Sequence, residues 1–303
     1  MSKVKISVAI CTHNRAEDLA ACVAALKPQM APECEYIIVD SGSAPDQRQA
    51  IARTIADAPG FRLIRLDEPG LSLARNVALA EAKGEWLALI DDDAVPAPNW
   101  TETALALFAR APAKCAILGG AVHPLVPAGA ERPLGPRWRQ LLATVETEGE
   151  FAQTDAPLVV GANMWFRCAP TRQAGGFPAN LGRIGKSLLS GEDKLVVNRL
   201  IAQGWRIYYS DKLEVGHKIH RERLTRKWAS TRAYWDGVSD RRIHRALNQP
   251  QGIARILRIG LNTIGLAVLY PLPSPRQEFF LRFWYNVGWL REQILPLPLS
   301  AGA

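Results

Sequence analysis

Apolar residues in the first ninety positions come in short unbroken runs, separated by stretches in which they recur every three or four residues. Residues 6–11 (Ile-Ser-Val-Ala-Ile-Cys) form the first run and read as a buried strand. Over 15–27 the apolar positions are Leu19, Cys22, Val23 and Leu26, the spacing of a helix with one buried face. The alternation continues with strands at 35–39, 61–66 and 85–90 and helices at 45–56 and 71–82. Strands alternating with helices predict an α/β fold: a Rossmann-like, mostly parallel sheet flanked by helices on both faces. Thr12-His13-Asn14 makes the first turn, with Asn14 as a candidate N-cap.

Beyond residue 98 the pattern is less regular. A helix is expected at 99–110, and a strand at 116–122 interrupted by Gly119-Gly120. Residues 124–157 are rich in Pro, Gly and charge and predict a long loop with a short helix around 138–145. Residues 163–166 read as a strand, 175–177 as a turn and 178–190 as a mobile, glycine-punctuated loop. A helix at 192–202 and a strand at 206–209 follow. After His217 the character changes. Residues 224–247 predict one long helix broken near Gly237. Residues 253–272 are largely apolar but contain Arg255 and Arg258, and a cluster of aromatics with Arg282 and Arg291 follows. No internal repeat is present.

Composition narrows the class. The chain has 303 residues, 48% hydrophobic and 22% charged, enough for a large core: one α/β domain over 1–222 and a helical extension over 223–303. The five cysteines, Cys11, Cys22, Cys34, Cys115 and Cys168, are spread out with no Cys-x-x-Cys pair, as in reduced thiols rather than a disulfide frame or zinc site. No signal-peptide pattern precedes the first strand, so a cytoplasmic location is expected. Residues 1–216 carry 23 Lys and Arg against 24 Asp and Glu, whereas 217–303 carry 14 against 5. A basic tail on a neutral body predicts an anionic partner for the tail. The tail's uncharged apolar part is too short to span a bilayer. It suits either a helix lying peripherally on an anionic membrane surface or an ordinary helical hairpin packed on the domain. There is no Gly-x-Gly-x-x-Gly after the first strand and no Gly-x-x-x-x-Gly-Lys-Ser/Thr, which argues against dinucleotide dehydrogenases and P-loop enzymes.

The chemistry gathers at the run 86–96. Five apolar residues end in Asp91-Asp92-Asp93, and Pro96 and Pro98 are expected to stop the strand. Acids just past the carboxyl end of a buried strand lie where open α/β sheets bind ligands. Three adjacent carboxylates repel one another, and a divalent cation relieves them. A solvated acidic turn is the plain alternative.

In order and spacing, the motifs resemble those of the inverting glycosyltransferases of family 2, with the GT-A fold, over roughly residues 4–225. They are Thr12-His13-Asn14-Arg15, Val39-Asp40-Ser41-Gly42-Ser43, Pro69-Gly70-Leu71-Ser72 with Ala74-Arg75-Asn76, Asp91-Asp92-Asp93, Gly161-Ala162-Asn163, Gly175-Gly176-Phe177 and Glu192-Asp193. The resemblance implies transfer of a sugar from a nucleoside diphosphate sugar to an acceptor hydroxyl with inversion, in cell-surface polysaccharide or glycolipid synthesis. It implies a divalent cation, Mn2+ or Mg2+, on Asp93 and Asp91, with His217 as a further ligand. It implies a nucleotide-sugar site of Thr12, Asn14, Arg15, Asp40, Arg75, Asp91 and Asp92. Asp193 would be the catalytic base, and Asn163, Gly176, Glu192 and Arg223 would lie on the acceptor side. The acceptor would be a sugar or a lipid-linked sugar; nucleic acid is not expected.

Each residue has a plainer reading. Asp40 would cap a helix, Arg75 would be a solvated helix residue, and Glu192-Asp193 would serve a helix dipole. His217 and His220 are both open to phosphate contact, as are Arg221, Arg223 and Arg226. Two other functions compete: a nucleotidyltransferase, and a non-catalytic membrane or nucleic-acid adaptor.

Overall fold

The computed structural model describes residues 3–130, 135–155, 158–183, 187–249, 253–269 and 276–296. In chain order, with short 3-10 turns omitted, the elements are β1 (Ile6–Thr12), α1 (Ala16–Leu26), β2 (Cys34–Ser41), α2 (Pro45–Ala56), β3 (Phe61–Leu66), α3 (Leu71–Glu81), β4 (Trp86–Asp91), β5 (Ala94–Pro96), α4 (Trp100–Ala109), β6 (Cys115–Leu125), α5 (Pro136–Leu141), β7 (Ala152–Thr154), β8 (Met164–Arg167), α6 (Cys168–Gln173), α7 (Glu192–Ala202), β9 (Arg206–Lys218), α8 (Arg226–Ala246), α9 (Ile253–Leu269) and α10 (Arg276–Ile294). The chain forms two compact units. One comprises 1–125, 143–179 and 196–218, and the other 126–142, 180–195 and 219–303. The second unit therefore draws in two internal segments besides the C-terminal extension.

In the first unit the strands form one mixed sheet in the order β3-β2-β1-β4-β8-β6-β9-β5, with β7 paired to β9. Strands β1 to β4 are parallel, as the alternating pattern predicts. The chain adds β2 and β3 on one side of β1 and then places β4 on the other. That reversal is a topological switch point, where the loops after the strands splay apart and leave a crevice. Register brings the relevant residues to one edge: Thr12 is level with Asp40, and Cys11 with Asp91. Burial holds the layers together. Ile6, Val8 and Ile10 pack with Leu19, Cys22 and Leu26 of α1, while Ala9, Ile37 and Leu89 pack with Ala74, Ala78 and Leu79 of α3. Each large apolar side chain so buried contributes about 1.5–3 kcal/mol.

Several expectations are corrected here. The strand ends at Asp91, before either proline, and Pro96 lies inside β5. β5 is a short strand at the end of the sheet, where proline's missing N–H is tolerated. Gly119-Gly120 does not interrupt β6. A Cβ on Gly119 would lie 2.0 Å from the Leu158 carbonyl oxygen, and one on Gly120 would lie 2.1 Å from the Asn163 amide nitrogen, so close approach demands glycine. β9 continues to Lys218, far beyond 209, because it pairs along β6 and, near its end, with β5. The short helix at 138–145 lies at Pro136–Leu141 instead. Asn14 does not cap α1. It sits at φ 55°, and its side chain accepts from the Ala44 N–H at 2.7 Å, joining the first turn to the start of α2.

The second unit is helical. α8 is continuous through Gly237. This glycine is a crossing point rather than a break: a Cβ there would lie 2.0 Å from the Tyr285 carbonyl oxygen of α10. Gly288 of α10 plays the same part, its Cβ position falling 1.9 Å from the Tyr234 carbonyl oxygen. Tyr285 donates to Asp240 at 2.7 Å and lies beneath the Arg137 guanidinium. Among the described residues no helix is long and apolar enough to cross a membrane.

Candidate functional site

The acidic run forms a turn between β4 and β5, so its three carboxylates have different surroundings. Asp91 is the partly exposed member; its Oδ1 lies 3.4 Å from Arg75 Nη2. Asp92 is buried, accepting from Thr12 Oγ1 at 2.8 Å and from Arg15 Nη1 at 3.1 Å. Asp93 is 2% exposed, with Arg15 Nη1 at 3.0 Å on one oxygen and His217 Nε2 at 3.3 Å from the other. The pairing of Ala94 with His217 between β5 and β9 puts the imidazole there. Burial lifts the Asp92 carboxyl to about 7; Arg15 opposes this, and the charge of Asp93 adds to it. The run is thus no solvated turn but a desolvated cluster of carboxylates, partly neutralised by Arg15.

The cysteines are the reverse of activated. Burial pushes Cys11 and Cys115 up to about 12, Cys34 and Cys168 to about 11, and raises Cys22 as well, so burial disfavours the nucleophilic thiolate at all five.

Asp40 is fully buried. Its Oδ1 accepts from the Ser43 N–H at 3.2 Å, a local turn bond, while Oδ2 has no hydrogen-bond partner among the described residues. A buried acceptor left in this state costs stability unless something else satisfies it. Arg75 is buried on α3, not solvated. Its guanidinium faces Asp91 and lies 5.9 Å from the centre of the Phe177 ring. Gly161 lies against the same pair: a Cβ there would come within 2.7 Å of Arg75 Nη2. Asn76 fixes the turn after α6, accepting from Phe177 N–H and donating to the Phe177 carbonyl, while Gly176 takes φ 61°.

Asn163 departs from its expected acceptor-side role. It is fully buried, donates to the carbonyls of Ala121 and Leu213, and accepts from the indoles of Trp100 and Trp165. Its amide belongs to the scaffold between β6, β8 and β9, so Asn163 is structural.

Thr12, Asn14, Arg15, Asp40, Arg75, Asp91, Asp92, Asp93, Gly176 and His217 belong to the first unit; Glu192, Asp193 and Arg223 belong to the second. Glu192 is buried at the start of α7. Asp193 is half-buried, and its Oδ1 accepts from the Lys194 N–H at 2.7 Å, a bond to the first turn of the helix. Arg223 is buried, and its carbonyl accepts from the Trp138 indole at 3.3 Å. Gly185, one of the glycines leading to Asp193, lies outside the described residues. Sequence reasoning missed Gly161 as the residue that lets Arg75 and Asp91 approach. Its only signal was its place before Ala162-Asn163.

The chain is 27% identical over 242 residues to the glucosyl-dolichyl phosphate glucuronosyltransferase of Haloferax volcanii, covering 78% of this chain and 77% of that protein. It is 25% identical over 295 residues to the succinoglycan biosynthesis protein ExoM of Rhizobium meliloti, covering 93% and 91%. Its fold matches the mannosyltransferase PcManGT from Pyrobaculum calidifontis, solved in complex with GDP-Man and Mn2+. There the TM-score is 0.66 at 16% identity, over 97% of this chain and 88% of that one. The fold also matches TarS 1-349 of S. aureus in complex with UDP, with TM-score 0.54 at 17% identity, over 97% and 92%. The nucleotidyltransferase and non-catalytic adaptor readings are thereby set aside. Residues 7–174 match the model of the family described as Glycosyl transferase family 2, and with the GT-A neighbours and the glycosyltransferases it resembles, the chain belongs to that family and is a glycosyltransferase.

Proposed function

We propose that the enzyme transfers a sugar from a nucleoside diphosphate sugar to an acceptor hydroxyl with inversion, assisted by a divalent cation, Mn2+ or Mg2+. The observation that carries this is the buried, unpartnered Asp40 Oδ2 on the same sheet edge as Thr12 and Asp91. An oxygen of this kind suits the N–H of a nucleobase. Arg15, paired with Asp92 and Asp93, and Arg75, facing Asp91, are the cations assigned to the diphosphate, and Asn14 ties the first turn to the start of α2. Asp93, Asp91 and His217 would be the residues to hold a hard divalent ion: two carboxylates and one imidazole are suitable donors and the Asp93 carboxylate faces the ring, but among the described residues no three such side chains are gathered as a ready-made metal site. Bound there, the ion would stabilise the charge that develops on the departing diphosphate.

The acceptor oxygen attacks the anomeric carbon as the bond from that carbon to the diphosphate oxygen breaks. The bonding pair leaves with the nucleoside diphosphate. The hydroxyl proton passes to the carboxylate of Asp193, which acts as general base. Glu192 and Arg223 lie on the acceptor side. Calorimetric titration with UDP and GDP, with and without Mn2+, tests the donor reading. Metal-dependent binding is expected; equal affinity in excess chelator overturns it.

A lipid-linked acceptor fits the first relative named above, whose name gives glucosyl-dolichyl phosphate, polysaccharide synthesis fits the second, and the shape of α9 suits the lipid-linked reading. Ile253, Leu257, Leu261 and Ile264 recur at helical spacing and are 60–76% exposed, with Arg258 exposed beside them. Residues 253–269 contain no Asp or Glu. An apolar stripe with cationic flanks suits an interfacial helix on an anionic leaflet, which would hold the enzyme peripherally on the inner face of the cell membrane.

A further inference from the structure

The segment that delivers Glu192 and Asp193 is fastened, on both sides of Gly191, to one stripe of α8. Positions 232, 236, 239, 240 and 243 fall four, seven, eight and eleven residues along, which is a single helical face. From that face Arg232 Nη1 donates to the Leu188 carbonyl at 3.0 Å, and both its Nη atoms reach Ser190 Oγ at 3.2 Å. Asp236 holds the guanidinium in place at 3.0 Å. Ser239 Oγ accepts the Ser190 N–H at 3.0 Å and itself donates to the Trp235 carbonyl at 2.7 Å. Past the glycine, Lys194 Nζ lies 3.2 Å from Asp240 Oδ1. Beneath these bonds Leu189 and Leu195 pack with Val238 and Ile243. Gly191 has φ 93°, and a Cβ on it would lie 2.6 Å from Ile243 Cδ1. The chain therefore turns into α7 with Gly191 packed against the Ile243 side chain of α8.

Packing alone needs no charged residues here. The arrangement places one charged side chain and one hydroxyl on backbone groups of the loop, and one carboxylate on the Lys194 side chain at the start of α7, from a stripe that also carries the apolar contacts. A half-buried arginine donating to a backbone carbonyl fixes the position of that backbone more tightly than leucine contacts do, because hydrogen bonds have direction. General-base catalysis depends on sub-ångström placement of the base.

We infer that Arg232, Ser239 and Asp240 are positioning residues: they hold residues 188–194 rigid, so that the Asp193 carboxylate stands ready for the acceptor proton. This rests on Asp193 being the base. None of the three touches the reacting atoms. The donor residues Thr12, Asp40 and Arg75 belong to the other unit, so nucleotide binding should not depend on the latch.

The test is a double-mutant cycle on the full chain. Arg232→Ala and Asp193→Asn are made singly and together, with Arg232→Lys as the conservative variant and Ser239→Ala as a milder one in case Arg232→Ala fails to fold. Turnover is read as nucleoside diphosphate released from whichever of GDP-mannose, UDP-glucose and UDP-glucuronic acid the parent consumes. Binding is read with GDP and UDP in the presence of Mn2+. Amide exchange over 188–195 is read in parallel and needs no substrate. Arg232→Ala is expected to lower kcat at least tenfold, leave nucleotide affinity unchanged and speed exchange across 188–195. It should cost nothing further in the Asp193→Asn background, and Arg232→Lys should recover part of the loss. Unchanged exchange at 188–195 overturns the latch, as does an Arg232→Ala loss of the same size in both backgrounds. If Asp193→Asn alone keeps near-normal turnover, it is the base assignment that fails, and exchange still decides whether the latch exists.

Discussion

His217 stands 3.3 Å from Asp93 although the two lie on different strands, because Ala94 of β5 pairs with His217 of β9. The antiparallel pairing of this short strand with the end of β9 delivers an imidazole to the acidic turn. Neither side chain is accessible.

Replacing His217 with Ala should weaken Mn2+-dependent binding of UDP or GDP by roughly tenfold or more, the scale of losing one ligand or its supporting contact. It should also cost about 1–3 kcal/mol of stability, because a contact between two buried polar groups is lost. Calorimetry and chemical denaturation measure the two separately. Nucleotide binding unaffected by the change would remove His217 from the site.

Asp40→Asn keeps an acceptor for the Ser43 N–H but can place an amide where the unpartnered oxygen stands. A nucleobase N–H would then meet a donor, and nucleotide affinity should fall about tenfold while the melting temperature stays level. Thermal-shift titration with UDP and GDP checks it. Arg75→Ala should lower affinity too, and it should also destabilise, since the buried Arg75 packs near Phe177 and faces Asp91.

Asp193→Asn should bind nucleoside diphosphate with Mn2+ as the parent does and lose on the order of a hundredfold or more in transfer. The amide can still accept the Lys194 N–H, so helix α7 should keep its stability. Near-normal transfer would make Asp193 a helix-end residue and turn attention to Glu192.

Gly237→Ala and Gly288→Ala should each destabilise the protein by about 3 kcal/mol or more. A Cβ would strike backbone atoms of the opposite helix, which cannot yield as a side chain can. Thermal denaturation reads this directly. Gly204→Ala serves as contrast: a Cβ there meets nothing within 4 Å, so only the cost of its φ of 89° remains.

Leu257→Asp combined with Leu261→Asp should abolish flotation with anionic vesicles of phosphatidylglycerol. The stripe would lose its apolar character and gain repelled charge. Both residues are exposed, so the fold should survive. A parent protein that stays at the bottom of the gradient at low salt would rule out this surface as a membrane contact.

The sequence by itself determined the local and periodic features. Strands β1 to β4 and helices α1 to α3 follow from apolar runs and three–four spacing, which are local properties of neighbouring residues. The acidic run, Asp40 at a strand end and Glu192-Asp193 at a helix start were legible for the same reason. What the tertiary structure decided depends on partners distant in the chain. Asn163 looked available on its motif, yet two carbonyls and two indoles from other strands and helices consume its amide. Gly237 looked like a break, because a glycine inside a helix weakens it locally; only the opposite helix reveals that it is an opening for Tyr285. β9 outran its expected end because ladder pairing, not residue propensity, sustains a strand. The stripe on α8 that holds the chain before Asp193 read only as a basic helix, since nothing in its sequence says which backbone its arginine and serine will meet.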